Sequence, residues 1–318
     1  MNTKCYNIVQ IGCGVVGKAY VDAYKKVGCN VIGIEASRKL IDMYKDEMAI
    51  YHVDDDMNDI VNIDFVMISI CTPLKGEDLD LSYLFSSVKN VSVIAKKNPK
   101  VTVVLRSTVP PGTTRKYKEQ LEKMVNRRVN VLFQPEFLRA VSALEDAVNP
   151  WHIVVGVDDG TDISKLLDLY GRFIDKEQIS ILNIEESELM KMYHNSFNAM
   201  KISYTNHCGT LNDCISERNG VTIDTNKIFA TMVKTCEGLR NPKYGTKAGH
   251  AYYGTCLPKD SSALAHLEKE YGLSVPLFDC VVKVNDEIKK TDSEEVLVGD
   301  FHVPYTVLSN KTGSGSTI

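Results

Sequence analysis

The heptapeptide GTCLPKD, Gly254 to Asp260, sets a thiol just ahead of a proline, a lysine and an aspartate. Pro258 suits the first turn of a helix, where the amide hydrogen that proline lacks would have no partner anyway. A cysteine just before such a start, with Lys259 nearby, sits where the helix dipole and a cation both favour a thiolate over an ordinary thiol of pKa about 8.5. Cys256 is therefore a candidate nucleophile, with Asp260 following in the same helical start. A small buried structural cysteine is the plainer alternative, and spacing alone leaves both open.

More chemistry-bearing residues lie upstream. FQPEFLRA (133–140) sets Glu136 after a strand-like run, between Phe133, Phe137 and Leu138. A half-buried carboxylate there suits a general base, whereas a lone glutamate more often ends in solvent. Lys191 and Asn195 are four apart in a helical stretch and so share a face, together with His194 and Asn198. That face reads either as a solvated surface or as a site rich in hydrogen-bonding groups. LRSTVPPGTT (105–114) holds Thr108 in a proline-stiffened loop, and Thr72 and Pro73 end another strand-like run. Alone, each is an ordinary loop; at the carboxyl ends of a parallel sheet, each would line a ligand crevice.

The stretch IVQIGCGVVGKAY carries Gly12, Gly14 and Gly17 in a G-x-G-x-x-G pattern between a strand and a helix. Gly12 permits the tight turn, Gly14 allows close approach of a pyrophosphate, and Gly17 lets the helix lie near the strand. Val15 and Val16 open that helix. The next strand runs into Glu35, where a carboxylate takes ribose hydroxyls and repels a 2′-phosphate. NAD is expected rather than NADP, although Arg38 lies close by.

These residues need elements to hold them. Strands are expected over Asn7–Ile11, Asn30–Ile34, Asp64–Cys71, Val101–Leu105 and Val129–Phe133, separated by helical stretches. Runs 152–157 and 179–184 are further candidates that extend the sheet. Nearly continuous apolar strands with intervening helices imply a parallel sheet covered on both faces, the Rossmann-type doubly wound α/β plan. From Glu185 the pattern becomes helical without a proline until Pro242, and Asn219-Gly220 forms a stop. Such a helix would run roughly 45–50 Å at about 1.5 Å per residue, the spine of an all-helical central domain. The acids Glu185, Glu186 and Glu188 are expected to serve its own dipole. The expected division is residues 1–185, NAD-binding; 186–295, helical and dimerising; and 296–318, a polar tail.

The 318 residues are 44% hydrophobic and 25% charged, with net charge −4 and no basic run, which argues against nucleic acid. No apolar stretch is long enough for a membrane span, and no secretory leader is read at the start. The nine cysteines show no metal-ligand spacing, so a reduced, cytoplasmic protein without a metal is expected.

Taken together, GCGVVG, STVPPGTT, PEFLRA, ELMKMYHNSFNAMKIS and GTCLPKD resemble the UDP-glucose/GDP-mannose 6-dehydrogenase family, in its order and with similar separations, over residues 1 to about 290. The resemblance implies oxidation of a nucleotide sugar's C6 alcohol to a carboxylate with two NAD per turnover. UDP-glucose to UDP-glucuronate is the leading reaction. It implies that Cys256 captures the C6 aldehyde and becomes a thioester, that Glu136 is the base for hydrolysis and that Thr108 helps to hold the water. Lys191 and Asn195 then stabilise an oxyanion, Asp260 stands beside the cysteine, and Lys259 contacts substrate. Phe137, Leu138 and Arg139 fall on the substrate loop, with Tyr252 and Gly254 near the cysteine. Arg240 is similar to an arginine that reaches a neighbouring subunit's substrate.

Three features depart from the family pattern. Ala140 stands where a second glutamate is usual, and Ala251–Gly254 (AYYG) replaces a glycine-rich loop. No second Rossmann-like pattern follows Asp292, where the family has a further α/β domain; a homodimer, or a separate chain, is expected to complete the nucleotide surface. Two other readings stand beside the main one. One is a non-catalytic NAD-binding scaffold; the other is a single-oxidation hydroxyacid or 6-phosphogluconate-type dehydrogenase.

Overall fold

A run of short strands between amphipathic helices dominates the first two-thirds of the chain, and a computed structural model shows how they assemble. It describes residues 5–75, 78–240, 251–253 and 257–290. The strands are β1 (Asn7–Ile11), β2 (Asn30–Glu35), β3 (Ile50–His52), β4 (Phe65–Ile68), β5 (Leu74–Lys75), β6 (Asp78–Leu79), β7 (Thr102–Leu105), β8 (Asn130–Phe133), β9 (Ile153–Gly156) and β10 (Ile179–Leu182). The helices in this part are α1 (Val15–Lys26), α2 (Arg38–Tyr44), α3 (Ser82–Ser86), α4 (Val88–Lys97), α5 (Thr113–Val125), α6 (Ala143–Val148) and α7 (Ser164–Tyr170).

Eight strands form one sheet in the order β10-β9-β8-β7-β4-β1-β2-β3, while β5 and β6 pair as a separate hairpin. From β3 to β8 all neighbours are parallel. This is the doubly wound order, with its switch point between β1 and β4. Strands β4 and β7 are buried at every residue, which explains their continuous apolar runs. Helices α4 and α5 lie over one face, with Val91, Ile94, Tyr117 and Leu121 in its core; α1, α6 and α7 close the other, with Val21, Tyr24, Ala147 and Leu169. Each fully buried valine, leucine or isoleucine among these contributes about 1.5–3 kcal/mol.

Two expectations change here. Strands β9 and β10 do extend the sheet, but β9 meets β8 antiparallel, through Phe133 and Gly156. One residue pair joins the two strands, so β9 and β10, themselves parallel, are added to the edge of the sheet running against β8. The strand expected over Asp64–Cys71 stops at Ile68, and Ser69, Ile70 and Cys71 leave the ladder to line a cavity. The edge strand β3 and the β5–β6 hairpin were not expected; all three residues of β3 are only half-buried and carry little apolar signal.

Helix α8 covers Ile184–Asn219, 36 residues, matching the expected spine. It starts on a reciprocal cap: Asn183 Oδ1 accepts from Glu186 N at 2.8 Å, and Glu186 Oε2 accepts from Asn183 N at 2.9 Å. It is followed by α9 (Thr225–Thr235), α10 (Glu237–Arg240), α11 (Leu257–Glu270) and α12 (Leu277–Lys289). The chain divides into two units between Ser196 and Phe197, inside α8. In the second unit Leu211, Ala265 and Phe278 form a small core, ringed by Tyr204, Ile215, Tyr271 and Val282. Glu268, 1% exposed, accepts from Phe278 N at 2.9 Å and Asp279 N at 3.0 Å, capping α12. Among the described residues no helix is long and apolar enough to cross a membrane.

Candidate functional site

At the carboxyl ends of the parallel strands lies a cavity of about 970 Å³. Its walls include Gly12, Gly14, Val15 and Val16 after β1, Glu35 and Ser37 after β2, Ser69 and Thr72 after β4, Arg106 and Thr108 after β7, and Glu136 after β8. The glycine turn is fixed by sterics. Gly12 has φ +79, and a Cβ there would fall 2.6 Å from Ser69 O; a Cβ on Gly17 would fall 1.9 Å from Gly12 O. A Cβ on Gly14 meets nothing within 4 Å, so the turn leaves ligand space there. Glu35 is held ready: Oε2 accepts from Cys13 N at 2.7 Å and Oε1 from Ser37 N at 2.8 Å. An open glycine turn at a helix start, with a fixed carboxylate one strand away, fits a dinucleotide. Gly17 packs beneath the turn, while Arg38 and Pro73 are exposed and outside the cavity wall.

The loops after β7 and β8 are both held by the first turns of α8. Glu188, 0% exposed, accepts from Gly112 N at 2.6 Å, Thr114 N at 2.8 Å and Thr114 Oγ1 at 2.6 Å. It thereby caps α5 and fixes the end of the STVPPGTT loop; Glu185 reaches Arg115 on the same helix. The acids expected to serve the dipole of α8 thus act largely on α5. Burial raises the Glu188 pKa, against the lowering effect of its Thr114 and Gly112 hydrogen bonds. Thr108 is pinned from the other side, its carbonyl accepting from Thr72 Oγ1 at 2.7 Å.

One turn further along α8, Lys191 is 4% exposed. Its Nζ donates to the backbone oxygen of Glu136 and lies 3.2 Å from Glu136 Oε1. Glu136 in turn accepts from Leu138 N through Oε2 at 2.8 Å. The solvated alternative for this stretch of helix therefore fails at Lys191, which is packed and paired. Asn195 is exposed and lies 3.3 Å from His194 Nδ1 through Oδ1; the His194 ring is 4.7 Å from that of Phe137. Arg139 is engaged by Asp146, to which it donates from its backbone N, Nε and Nη2. That guanidinium holds the Asp146 carboxyl far below the usual range.

In the second unit Tyr252 is anchored by Asn285: Tyr252 N donates to Asn285 Oδ1 at 2.8 Å and Tyr252 O accepts from Asn285 Nδ2 at 3.2 Å. Its hydroxyl is 3.1 Å from Ser261 Oγ. Gly254 and Cys256 lie outside the described residues. Arg240 ends α10, and Lys259 and Asp260 fall in the first turn of α11; their side chains, and that of Ala140, also lie outside the description.

Sequence reasoning missed Arg106, which lines the cavity, and the buried cluster around it. Arg106 is 1% exposed and Tyr24 and Tyr170 are fully buried around it. Its Nε donates to Gln134 Oε1 at 2.8 Å and its Nη2 to Tyr170 OH at 3.0 Å and to Tyr24 OH. The guanidinium lies 3.8 Å over the Tyr20 ring. A charged residue closing a buried strand, and tyrosines at 20 and 24 on one helix face, were the available signals. Glu188 was in plain view but indistinguishable from its acidic neighbours.

Residues 51–174 match the model of the UDP-glucose/GDP-mannose dehydrogenase family, NAD binding domain, and residues 185–287 match that family's central domain. A Rickettsia typhi protein named UDP-glucose 6-dehydrogenase is 34% identical over 235 residues, covering 72% of this chain and 50% of the relative. One of the same name from Rickettsia prowazekii is 30% identical over 305 residues, 88% of this chain and 66% of the relative. The chain thus spans half to two-thirds of the length of these relatives. A GDP-mannose dehydrogenase from Pseudomonas aeruginosa, solved as a ternary complex, superposes with TM-score 0.78 over 89% of this chain and 69% of its own, at 24% identity. A UDP-glucose dehydrogenase from Pyrobaculum islandicum gives 0.66 over 90% and 69%, at 25% identity.

Proposed function

The chain belongs to the UDP-glucose/GDP-mannose dehydrogenase family, and on that premise we propose that it is an NAD-dependent nucleotide-sugar 6-dehydrogenase. Its reaction is the four-electron oxidation of a sugar C6 alcohol to the carboxylate, with UDP-glucose to UDP-glucuronate as the leading case. The contact of Lys191 with Glu136, beside the cavity that Glu136 and Thr108 line, carries the reading. It sets a buried cation and a carboxylate side by side, as a charge-developing acyl chemistry needs.

NAD, when bound, supplies the hydride acceptor for each of two oxidations. Gly12, Gly14, Val15, Val16 and Glu35 would hold it, with Thr72 and Thr108 toward the other end. The thiolate of Cys256 adds to the aldehyde carbon from the first oxidation, and Lys191 with Asn195 stabilises the oxyanion. The second oxidation leaves a thioester on Cys256. Glu136 takes a proton from water held by Thr108; the hydroxide attacks the thioester carbon, the C–S bond breaks, and carboxylate and thiolate are released. Asp260 is assigned to the thiolate, and Lys259, Phe137, Leu138, Arg139, Tyr252 and Gly254 are assigned to the sugar nucleotide.

The proposed division of labour is residues 1–185 for NAD, 186–295 for a helical homodimer and 296–318 for a tail. Exposed Phe197, Met200, Ile228 and Val233 support a self-association surface on the helical part, and Arg240 would reach the partner's substrate. The location proposed is cytoplasmic, in keeping with eight free thiols among the described cysteines.

The test is NADH formation from NAD with UDP-glucose, GDP-mannose, UDP-N-acetylglucosamine, UDP-N-acetylmannosamine and 6-phosphogluconate. Two NADH per molecule of one nucleotide sugar are expected. One NADH per substrate would return the single-oxidation reading, and NAD binding without turnover the scaffold.

A further inference from the structure

Arg106 is a guanidinium buried without a carboxylate among its hydrogen-bond partners. Every acceptor it has is neutral: Gln134 Oε1, the hydroxyls of Tyr24 and Tyr170, and Met67 Sδ at 3.5 Å. Its Nη1 is buried with no hydrogen-bond partner. Glu136, whose charge reaches Tyr20, is itself engaged by Lys191. Three tyrosines and a glutamine lower the cost of burying this cation, but they do not cancel its charge. Holding a charge out of water without a counter-ion costs the fold several kcal/mol, about the effective penalty of burying one ion, and leaves that charge free to act on a neighbouring ligand.

Its place in the sheet suggests which ligand that is. Glu35, at the ribose end of the cavity, follows β2; Arg106 follows β7, three strands away, roughly 14 Å at about 4.8 Å per strand. Arg106 also lines the cavity, with Thr108 and Glu136. A dinucleotide with its adenosine ribose on Glu35 extends across the strand ends toward β7. The nicotinamide ring carries one positive charge when oxidised and none after accepting a hydride.

We propose that Arg106 is a fixed cation that biases the bound cofactor toward its reduced form, binding NADH more tightly than NAD and so favouring hydride acceptance. The proposal rests on NAD binding alone and not on the identity of the sugar or on the thioester.

The experiment is titration of the full chain with NADH and with NAD, no sugar present, followed by fluorescence and calorimetry. The unsubstituted protein is expected to prefer NADH. Arg106→Gln should reduce the ratio of the two dissociation constants about tenfold, the effect of one charge roughly 10 Å away at a permittivity of about 20. Arg106→Lys should keep the ratio. Tyr170→Phe, which removes an acceptor dipole and leaves the charge less compensated, should move it the opposite way, further toward NADH. An Arg106→Gln protein that binds both forms with an unchanged ratio overturns the proposal. Should that variant fail to fold, Tyr170→Phe decides: an unchanged or reduced preference for NADH overturns it. If the unsubstituted protein binds neither form, the NAD reading itself falls, and this proposal with it.

Discussion

Lys191 Nζ, on the third turn of α8, bonds the backbone oxygen of Glu136 and stands 3.2 Å from its carboxylate. One helix thereby fixes the loop after β8, while Glu188, three residues earlier, fixes the loop after β7. Two strand-end loops that line the cavity are thus set by a single rigid rod.

Removing the lysine tests that arrangement. Lys191→Met should lower kcat about 10²–10³-fold, the usual effect of losing a donor to a developing oxyanion. NADH affinity should change little, because the glycine turn and Glu35 are untouched. Equal losses in NADH affinity and kcat would mean that Lys191 serves only to hold the loop.

The glycines separate folding from binding. Gly14→Val meets no protein atom within 4 Å of its Cβ, so the melting temperature should hold while NADH binding weakens more than about tenfold. Gly17→Val, whose Cβ falls 1.9 Å from Gly12 O, should instead lose the fold. Circular dichroism and NADH titration of both variants check the contrast; tight NADH binding by Gly14→Val would remove the dinucleotide from this cavity.

Glu188 gives a signed pH dependence. Burial raises its folded pKa above the ordinary 4.5, so the folded state holds the proton more tightly than the unfolded chain. Its contribution is full below about 4.5 and is lost as pH rises through the folded value. Glu188→Gln cannot ionise, so its melting temperature should lack this fall. In the variant an amide hydrogen also faces Gly112 N, one donor against another, which should slacken the Thr108 loop and lower kcat more than NADH affinity. Parallel melting curves for the two proteins across this range would count against the assignment.

The proposed nucleophile can be tested by substitution. Cys256→Ser should abolish carboxylate formation while leaving NADH binding within about twofold of the original, since the thiol is assigned to the sugar rather than the cofactor. Uronate made at an undiminished rate would exclude a thioester route.

Much of this protein is local and therefore legible in the residues themselves. Gly12, Gly14 and Gly17 in strand–turn–helix context, the buried runs of β4 and β7, and the 36-residue spine each follow from periodicity, sterics and capping within a few turns of chain. Sequence also picked out Glu136 and Lys191, but as separate candidates 55 residues apart. Their contact depends on α8 lying against the end of β8, a relation between distant segments that no local pattern carries. The same limit hid the second role of Glu188, which resembled its acidic neighbours until its carboxylate met α5. It also hid the direction of β9 and the Arg106 cluster, which residues following β7 and β8 form with tyrosines from α1 and α7. Composition and spacing determined which elements form and which residues could react. Packing decided which charges are buried and which of them meet, because burial and pairing belong to surfaces that exist only once the strands and helices are laid together.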